Sequence, residues 1–226
     1  MKIGVVMPVF NQFELAVGAL ASIQSEYDWQ PFVIDNWRNN RGVAAAWNIG
    51  VTKSWDNNCD YALVINDDVI LSKWTIDNQV KVLEMEESKS SGLVLTTGWA
   101  TTPPDPANPV SMMEYGDPPY DAAWVPGADF ACFMINKVCW DVVGPFDEKF
   151  YPAYFEDNDY HRRILMNNMT ARIVPQAPYY HFGSQTQKSA GVVDSSAFDA
   201  NKQYYQSKWG GLPGAEVYAT PFNQTI

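Results

Sequence analysis

The run Tyr61-Ala62-Leu63-Val64-Ile65 ends in Asn66-Asp67-Asp68. An unbroken apolar run of this length reads as a strand buried on both faces. Two carboxylates at its end stand at the carboxyl edge of an open α/β sheet, where such sheets bind ligands. Asp oxygens are hard donors. They suit Mg²⁺ or Mn²⁺, ions that keep several waters and draw further ligands from substrate phosphates. The chemistry implied is capture of a nucleoside-diphosphate substrate through a divalent cation. Taken alone, an Asp-Asp pair is more often a solvated turn.

A second acidic group, Glu156-Asp157-Asn158-Asp159, follows the aromatic approach Phe150-Tyr151-Pro152-Ala153-Tyr154-Phe155. Acids in the first turn of a helix are favoured by the macrodipole and by its free N–H groups, which accounts for all three. The functional reading is that one of them faces a cleft as a general base, with aromatic walls excluding water and raising its pKa. Arg162 and Arg163 stand where they can pair with Asp159 as a surface arrangement. Of the two histidines, His161 lies inside that helix and reads as structural. His181 ends a late strand before Gly183-Ser184, where a neutral imidazole can complete a cation site begun by Asp68. Asp35 closes an earlier strand and can accept bonds from a ribose hydroxyl or a base N–H. Asn40-Arg41-Gly42 and Asn48 form a polar turn into a helix whose free N–H groups can meet phosphate.

Other chemistries are excluded. No Gly-x-Gly-x-x-Gly follows the first strand and no Walker loop is present, which argues against dinucleotide and P-loop sites. Ser, Cys and His form no nucleophilic set. The formal charge is −11 from 26 acidic and 15 basic residues, without a basic run, so neither nucleic acid nor an anionic membrane is the expected partner. Cys59, Cys132 and Cys139 lack metal-ligand spacing and read as reduced thiols, the last two in apolar surroundings. The apolar start is too short for a signal peptide and is interrupted by Pro8, and no run approaches a membrane span. The expectation is a soluble, cytoplasmic protein. Nine Trp, twelve Tyr and eleven Phe are enough both to fill a core and to leave rings for stacking on sugar or base.

The elements that must position these groups alternate. Strands are expected over Lys2–Val9, 31–34, Tyr61–Ile65 and 93–97, with helices over 14–26, 43–55 and from a Ser72 cap to about 88. Strand–helix alternation with short connections implies βαβ units and a mainly parallel sheet. From 99 to 119 the chain is rich in Pro and polar residues, the texture of a binding loop or lid. A strand over 130–135, helices near 137–142 and 156–168, short strands over 171–174 and 178–182, and a tail helix near 198–208 complete the reading. No repeat or second-domain boundary is visible.

In this order the segments resemble family 2 glycosyltransferases. Val5-Val6-Met7-Pro8-Val9-Phe10-Asn11 is similar to that family's opening strand, and Asp35-Asn36 to the acidic end of its second. The segment from Asn40-Arg41-Gly42 through Asn48-Ile49-Gly50 is similar to its Asn-x-Gly-x-x-x-Ala-x-Asn-x-Gly stretch. Asn66-Asp67-Asp68 falls at its Asp-x-Asp. Gly144-Pro145-Phe146-Asp147-Glu148 and Glu156-Asp157-Asn158-Asp159 resemble its Gly-x-Phe-Asp-Glu and Glu-Asp-x-Asp blocks, and Tyr180-His181-Phe182-Gly183-Ser184 its late His. The likeness covers about residues 3–184 and leans toward the bacterial and viral branch that includes rhamnosyltransferases.

The resemblance implies a GT-A fold, an α/β single domain with a mainly parallel sheet. It implies a donor-binding half over 1–98, an acceptor and catalytic half over 99–184 and a tail over 185–226. It implies an inverting enzyme that moves a sugar from a nucleotide-diphosphate donor to an acceptor hydroxyl. Pro8, Phe10, Asn11, Asp35, Arg41, Asn48, Asn66 and Asp67 would meet the donor nucleotide. Asp68 and His181 would hold Mn²⁺ or Mg²⁺, Asp157 would be the general base, and Glu156 would orient the acceptor or the base. Asn66 departs from the family's first Asp and supplies less charge for the cation. The loop over 99–119 and the tail are expected to shape the acceptor site, with Trp99, Trp124 and Trp209 as candidate stacking surfaces. Two other readings stand beside this one: a silent nucleotide- or carbohydrate-binding module on the same fold, and a nucleotidyltransferase, which would want a Gly- and Arg-rich triphosphate loop that the first strand lacks.

Overall fold

The computed structural model describes residues 1–87, 92–101, 125–126, 130–183 and 195–224. Eight strands appear among them: β1 (Lys2–Val9), β2 (Asp28–Asp35), β3 (Tyr61–Ile65), β4 (Val69–Leu71), β5 (Leu93–Thr101), β6 (Val125–Pro126), β7 (Cys132–Asn136) and β8 (Thr170–His181). The helices are α1 (Phe13–Ala21), α2 (Val43–Asp56), α3 (Thr75–Glu87), α4 (Lys137–Val143), α5 (Glu156–Met166) and α6 (Ser195–Trp209).

β1 and β3 are apolar throughout because both faces are covered. Side chains alternate across a strand, so Ile3, Val5, Met7 and Val9 join Leu63 and Ile65 in one core with Ala16, Ala19, Ile76 and Val80 of α1 and α3. Val6, Ala62 and Val64 point the other way, against Ala44, Trp47 and Val51 of α2 and Tyr160 and Ile164 of α5. Gly50 lets α2 approach this second face closely: a Cβ there would lie 2.1 Å from Val6 Cγ1.

The sheet order is β2-β1-β3-β7-β5-β8-β4, with β6 paired to β8. β1 is parallel to β2 and to β3. β7 is antiparallel to both β3 and β5, and β8 is parallel to β5. Thus β2, β1, β3, β5 and β8 run one way, and the sheet is mainly parallel as the alternation implies. Their carboxyl ends share one edge, which therefore carries Asp35, Phe10, Asn66 and His181.

The path from β3 to β4 bends the sheet. Four steps across a flat sheet would span about 19 Å. The chain from Ile65 to Val69 reaches at most about 14 Å. The sheet must curl so that β4 can pair with the outer side of β8, with Val69 opposite His181. This curl carries Asp68 to the end of β8. α5 packs on β8 and ends just before it begins, so α5 runs back along the strand and its acidic first turn lies toward the same edge.

Some elements differ from expectation. β4 was not foreseen, since three residues carry no period. The two late strands are one, β8, because Pro175 and Pro178 interrupt the pattern without ending the pairing. α1 stops at Ala21, and α3 starts at Thr75 rather than at a Ser72 cap; Ser72 Oγ instead accepts from Trp74 N–H at 3.3 Å in the turn before it. Among the described residues no helix is long and apolar enough to cross a membrane.

Candidate active site

The first wall of the edge is aromatic and acidic. Asp35 accepts from the N–H groups of Trp37 at 3.0 Å and Arg38 at 3.4 Å, which fixes the turn after β2 while its side chain stays open to solvent. Trp37, half exposed, meets Phe10 edge to face at 5.2 Å. Arg41 is folded toward this turn, its N–H on Asn36 Oδ1 at 3.0 Å and its guanidinium 3.5 Å from the Asp35 carbonyl. Pro8, opposite Ile34, lies beyond the last β1–β3 pair, where its missing N–H costs no bond on that side. Asn11 follows Phe10 at the same corner. Gly42 has φ +84°, and a Cβ there would press on Tyr151 at 3.0 Å. Val43 N–H donates to the Pro152 carbonyl at 2.9 Å, so this turn is tied to the segment leading to α5.

The second wall is the strap after β3. Asn66 N–H donates to Ala131 O at 2.9 Å. Asp67 is buried and accepts from Phe10 N–H at 3.3 Å, joining the ends of β1 and β3. Asp68, 3% exposed, lies with Oδ1 3.1 Å from His181 Nε2. Phe182 N–H donates to the Asp68 carbonyl at 2.9 Å and locks the two segments together. The pair matches the donors and spacing that a divalent ion wants: one hard carboxylate oxygen and one imidazole nitrogen. Two neighbouring ligands on an octahedral ion with bonds of about 2.1 Å stand about 3 Å apart. Among the described residues no cluster of three or more His, Cys, Asp or Glu donors is assembled.

The third wall is the start of α5. Tyr154 and Phe155 have φ +82° and +72°, an unfavourable conformation for bulky residues. Glu156 is buried and its Oε2 has no hydrogen-bond partner among the described residues. Burial first, then the neighbouring Asp157 carboxylate, pushes Glu156 well above the ordinary carboxylate range, against hydrogen bonds from the Glu156 and Tyr154 amides. Asp157 is only partly buried. Asp159 is wholly buried and takes Arg163 Nε at 2.9 Å, Trp209 Nε1 at 2.9 Å and Lys208 Nζ at 2.7 Å. The Arg163–Asp159 pair is therefore internal rather than a surface arrangement, and Arg163 also donates to the carbonyls of Val143 at 2.7 Å and Pro145 at 2.9 Å.

The fold thus brings Phe10 to Asp67, Asp68 to His181, and Arg41 to Asp35. Asn48 is a correction. Its amide donates to Phe146 O at 3.0 Å and Glu148 Oε1 at 2.9 Å and accepts from Phe146 N–H at 2.8 Å, so it clamps α2 to the loop before α5 instead of meeting phosphate. Trp209 is a second correction: it is fully buried and cannot stack on a ligand. Trp99 is 42% exposed, and Trp124 lies outside the described residues, as does most of the 99–119 loop. Sequence reasoning missed Trp37, whose only signal was an aromatic residue two positions after Asp35. It also missed Asn201 and Lys208, which belong to no motif.

No protein-family model matches the chain, and no curated protein matches it at a significant level. Solved structures do. The 1–349 portion of TarS from S. aureus is 12% identical with a TM-score of 0.55, over 81% of this chain and 61% of that one. The catalytic domain of Drosophila beta1,4-galactosyltransferase 7, in complex with xylobiose, is 14% identical with a TM-score of 0.53, over 82% of this chain and 72% of that one. Mannosyltransferase PcManGT from Pyrobaculum calidifontis, with GDP-Man and Mn²⁺, is 15% identical with a TM-score of 0.58, over 79% of this chain and 56% of that one. At these identities the likeness is one of fold, and the fold is GT-A.

Proposed function

We propose that this GT-A chain is an inverting glycosyltransferase that moves a sugar from a nucleoside-diphosphate donor to an acceptor hydroxyl in glycan synthesis. The observation that carries the reading is the Asp68–His181 pair, 3.1 Å apart with Asp68 buried, on the same carboxyl edge of the sheet that carries Asp35. Two neighbours in fold are named for sugar transfer, one of them solved with GDP-Man and Mn²⁺, and the 1–349 portion of TarS is also solved with UDP, which supports the same reading. The donor half spans 1–98 and the acceptor and catalytic half 99–184.

In this reading Trp37 and Phe10 flank the base and Asp35 accepts from base or ribose. Asn66 lies within reach of the ribose, and Arg41 faces the diphosphate. Asp68 and His181 would hold Mn²⁺ or Mg²⁺, whose charge would stabilise the diphosphate as it leaves. Asp157 takes the proton from the acceptor hydroxyl as that oxygen attacks the anomeric carbon. Glu156, whose burial favours the neutral form, orients the acceptor or the base. Retention through an enzyme nucleophile would need a further carboxylate at the anomeric carbon. Asp67, the other acid of the strap, is turned to the Phe10 N–H.

The test is calorimetric titration of UDP, GDP and dTDP with Mn²⁺, Mg²⁺ or chelator, followed by turnover of the matching sugar donors. One nucleotide is expected to bind in a cation-dependent way, with affinity falling tenfold or more in Asp68→Ala. Asp157→Asn is expected to bind normally and to lose roughly 10²–10⁴ in kcat. Binding without turnover, indifferent to Asp157→Asn, would mark a silent binding module. No binding by the folded protein would sink the assignment.

A further inference from the structure

Helix α6 lies in the tail, beyond the segments whose motifs suggest the chemistry, yet it grips the acidic turn on both sides. Asn201, Tyr204, Tyr205, Lys208 and Trp209 recur at helical spacing and form one stripe. Asn201 is 3% exposed, and its Nδ2 donates to the carbonyls of Ala153 at 2.8 Å and Tyr154 at 3.3 Å. Those carbonyls belong to the stretch that enters the left-handed region at Tyr154 and Phe155. The two rings are held as well: Phe198 lies 5.2 Å from Tyr154 and 5.3 Å from Phe155, and Tyr205 lies 5.6 Å from Phe155. On the other side of Asp157, Lys208 and Trp209 hold Asp159.

We propose that α6 is the arm that positions Glu156 and Asp157, and that Asn201 is the positioning residue which keeps the Tyr154–Phe155 turn in its left-handed form. The inference rests on Asp157 acting as the base. A left-handed pair of aromatic residues persists only when its surroundings over-determine it. Asn201 supplies the directional part of that constraint, since its one amide group spans two successive carbonyls. Without it the turn relaxes toward the ordinary helical or extended regions and re-aims the side chains that follow. The donor contacts on β1, β2, the strap after β3 and the end of β8 make no bond to Asn201, and the one link to this stretch, Val43 N–H on the Pro152 carbonyl, lies ahead of the carbonyls that Asn201 holds. The consequence is a split between catalysis and donor binding.

The experiment measures kcat and donor KM for release of nucleoside diphosphate from UDP-, GDP- and dTDP-sugars, with methyl glycosides as acceptors. Wild type, Asn201→Ala, Asn201→Asp and Asp157→Asn are compared, with calorimetry of the nucleotide diphosphate alongside. Asn201→Ala is expected to lose at least tenfold in kcat, with donor KM and nucleotide affinity within twofold of wild type and unfolding still cooperative. Asn201→Asp keeps the size but turns an acceptor toward two carbonyls, and is expected to lose at least as much. If the alanine variant does not fold, Asn201→Ser, which retains one short hydroxyl donor, is expected to show the same split with a smaller loss. Wild-type kcat in Asn201→Ala with Asp157→Asn inactive overturns the positioning role alone. Parallel loss of kcat and nucleotide affinity also overturns it, because that marks a general structural defect. Full activity in Asp157→Asn, or no turnover by wild type, removes the base and the inference with it.

Discussion

Glu156 and Asp157 are adjacent carboxyls in opposite settings, one enclosed and one at the rim. A buried carboxyl favours its neutral form, so the folded state binds a proton that the unfolded chain releases at an ordinary Glu pKa. The resulting penalty is absent at low pH, grows as pH rises past the unfolded value, and levels off above the raised folded value. Glu156→Gln keeps the shape and removes the charge. It is expected to raise Tm by a few degrees at about pH 8 and to leave it unchanged at about pH 4, since one kcal/mol is worth roughly 2–4 °C at this chain length. Thermal unfolding followed across pH checks this, and a gain that is constant with pH would refute burial as the cause. The same enclosure sets Cys139 apart from any chemistry, because burial pushes its thiol up to about 12. At this scale the meeting of Asp68 and His181 is legible in the sequence, since one follows a recognisable apolar strand and the other ends one. The fates of Asp67, Asp159 and Asn48 are not legible, because each is decided by a partner brought near by the fold.

Helix α2 shows how an element can serve the site without touching a substrate. Its Asn48 clamps the loop at Phe146–Glu148, and its Gly50 sits on β1, so the helix ties the first strand to the approach to α5. Gly50→Ala would drive a methyl into Val6. The gain in helix propensity of about 1 kcal/mol offsets only part of an overpacking cost that the 2.1 Å approach to Val6 sets at the upper end of about 1–3 kcal/mol. The expected result is a Tm lower by several degrees, with the change visible in urea as a lower midpoint at constant slope. Legibility at this scale follows pattern length. β1 and β3 were read with their observed bounds because continuous apolar runs are unambiguous once Gly, Pro and Asn punctuate them. β2 begins three residues before Pro31, since edge pairing to β1 tolerates the polar positions Asp28 and Gln30. β4 exists because β8 offers it a partner, which no local pattern can announce.

Across the whole molecule, one ammonium of α6 joins the loop before α5 to α5 itself. Lys208 Nζ lies 2.7 Å from Asp147 and 2.7 Å from Asp159, with its side chain 7% exposed. Tyr204 donates to Asp147 as well, at 2.8 Å. Burial opposes ionisation of Asp147, but Lys208, the Lys149 N–H and Tyr204 outweigh it and hold the carboxyl below its usual range. Lys208→Met removes the ammonium from Asp147 and leaves Asp159 with Arg163 alone, and is expected to cost roughly 3–5 kcal/mol of stability, read by denaturant titration. The curl of the sheet has a consequence on the same scale. It sets Asp68 against a residue 113 positions later. Prising the two apart means undoing β4 and β8, so a ligand seated on both draws its hold from global folding, not from local order. By mass action such a ligand raises the melting temperature of the entire chain, and occupancy of the edge becomes readable as heat resistance before any product has been identified.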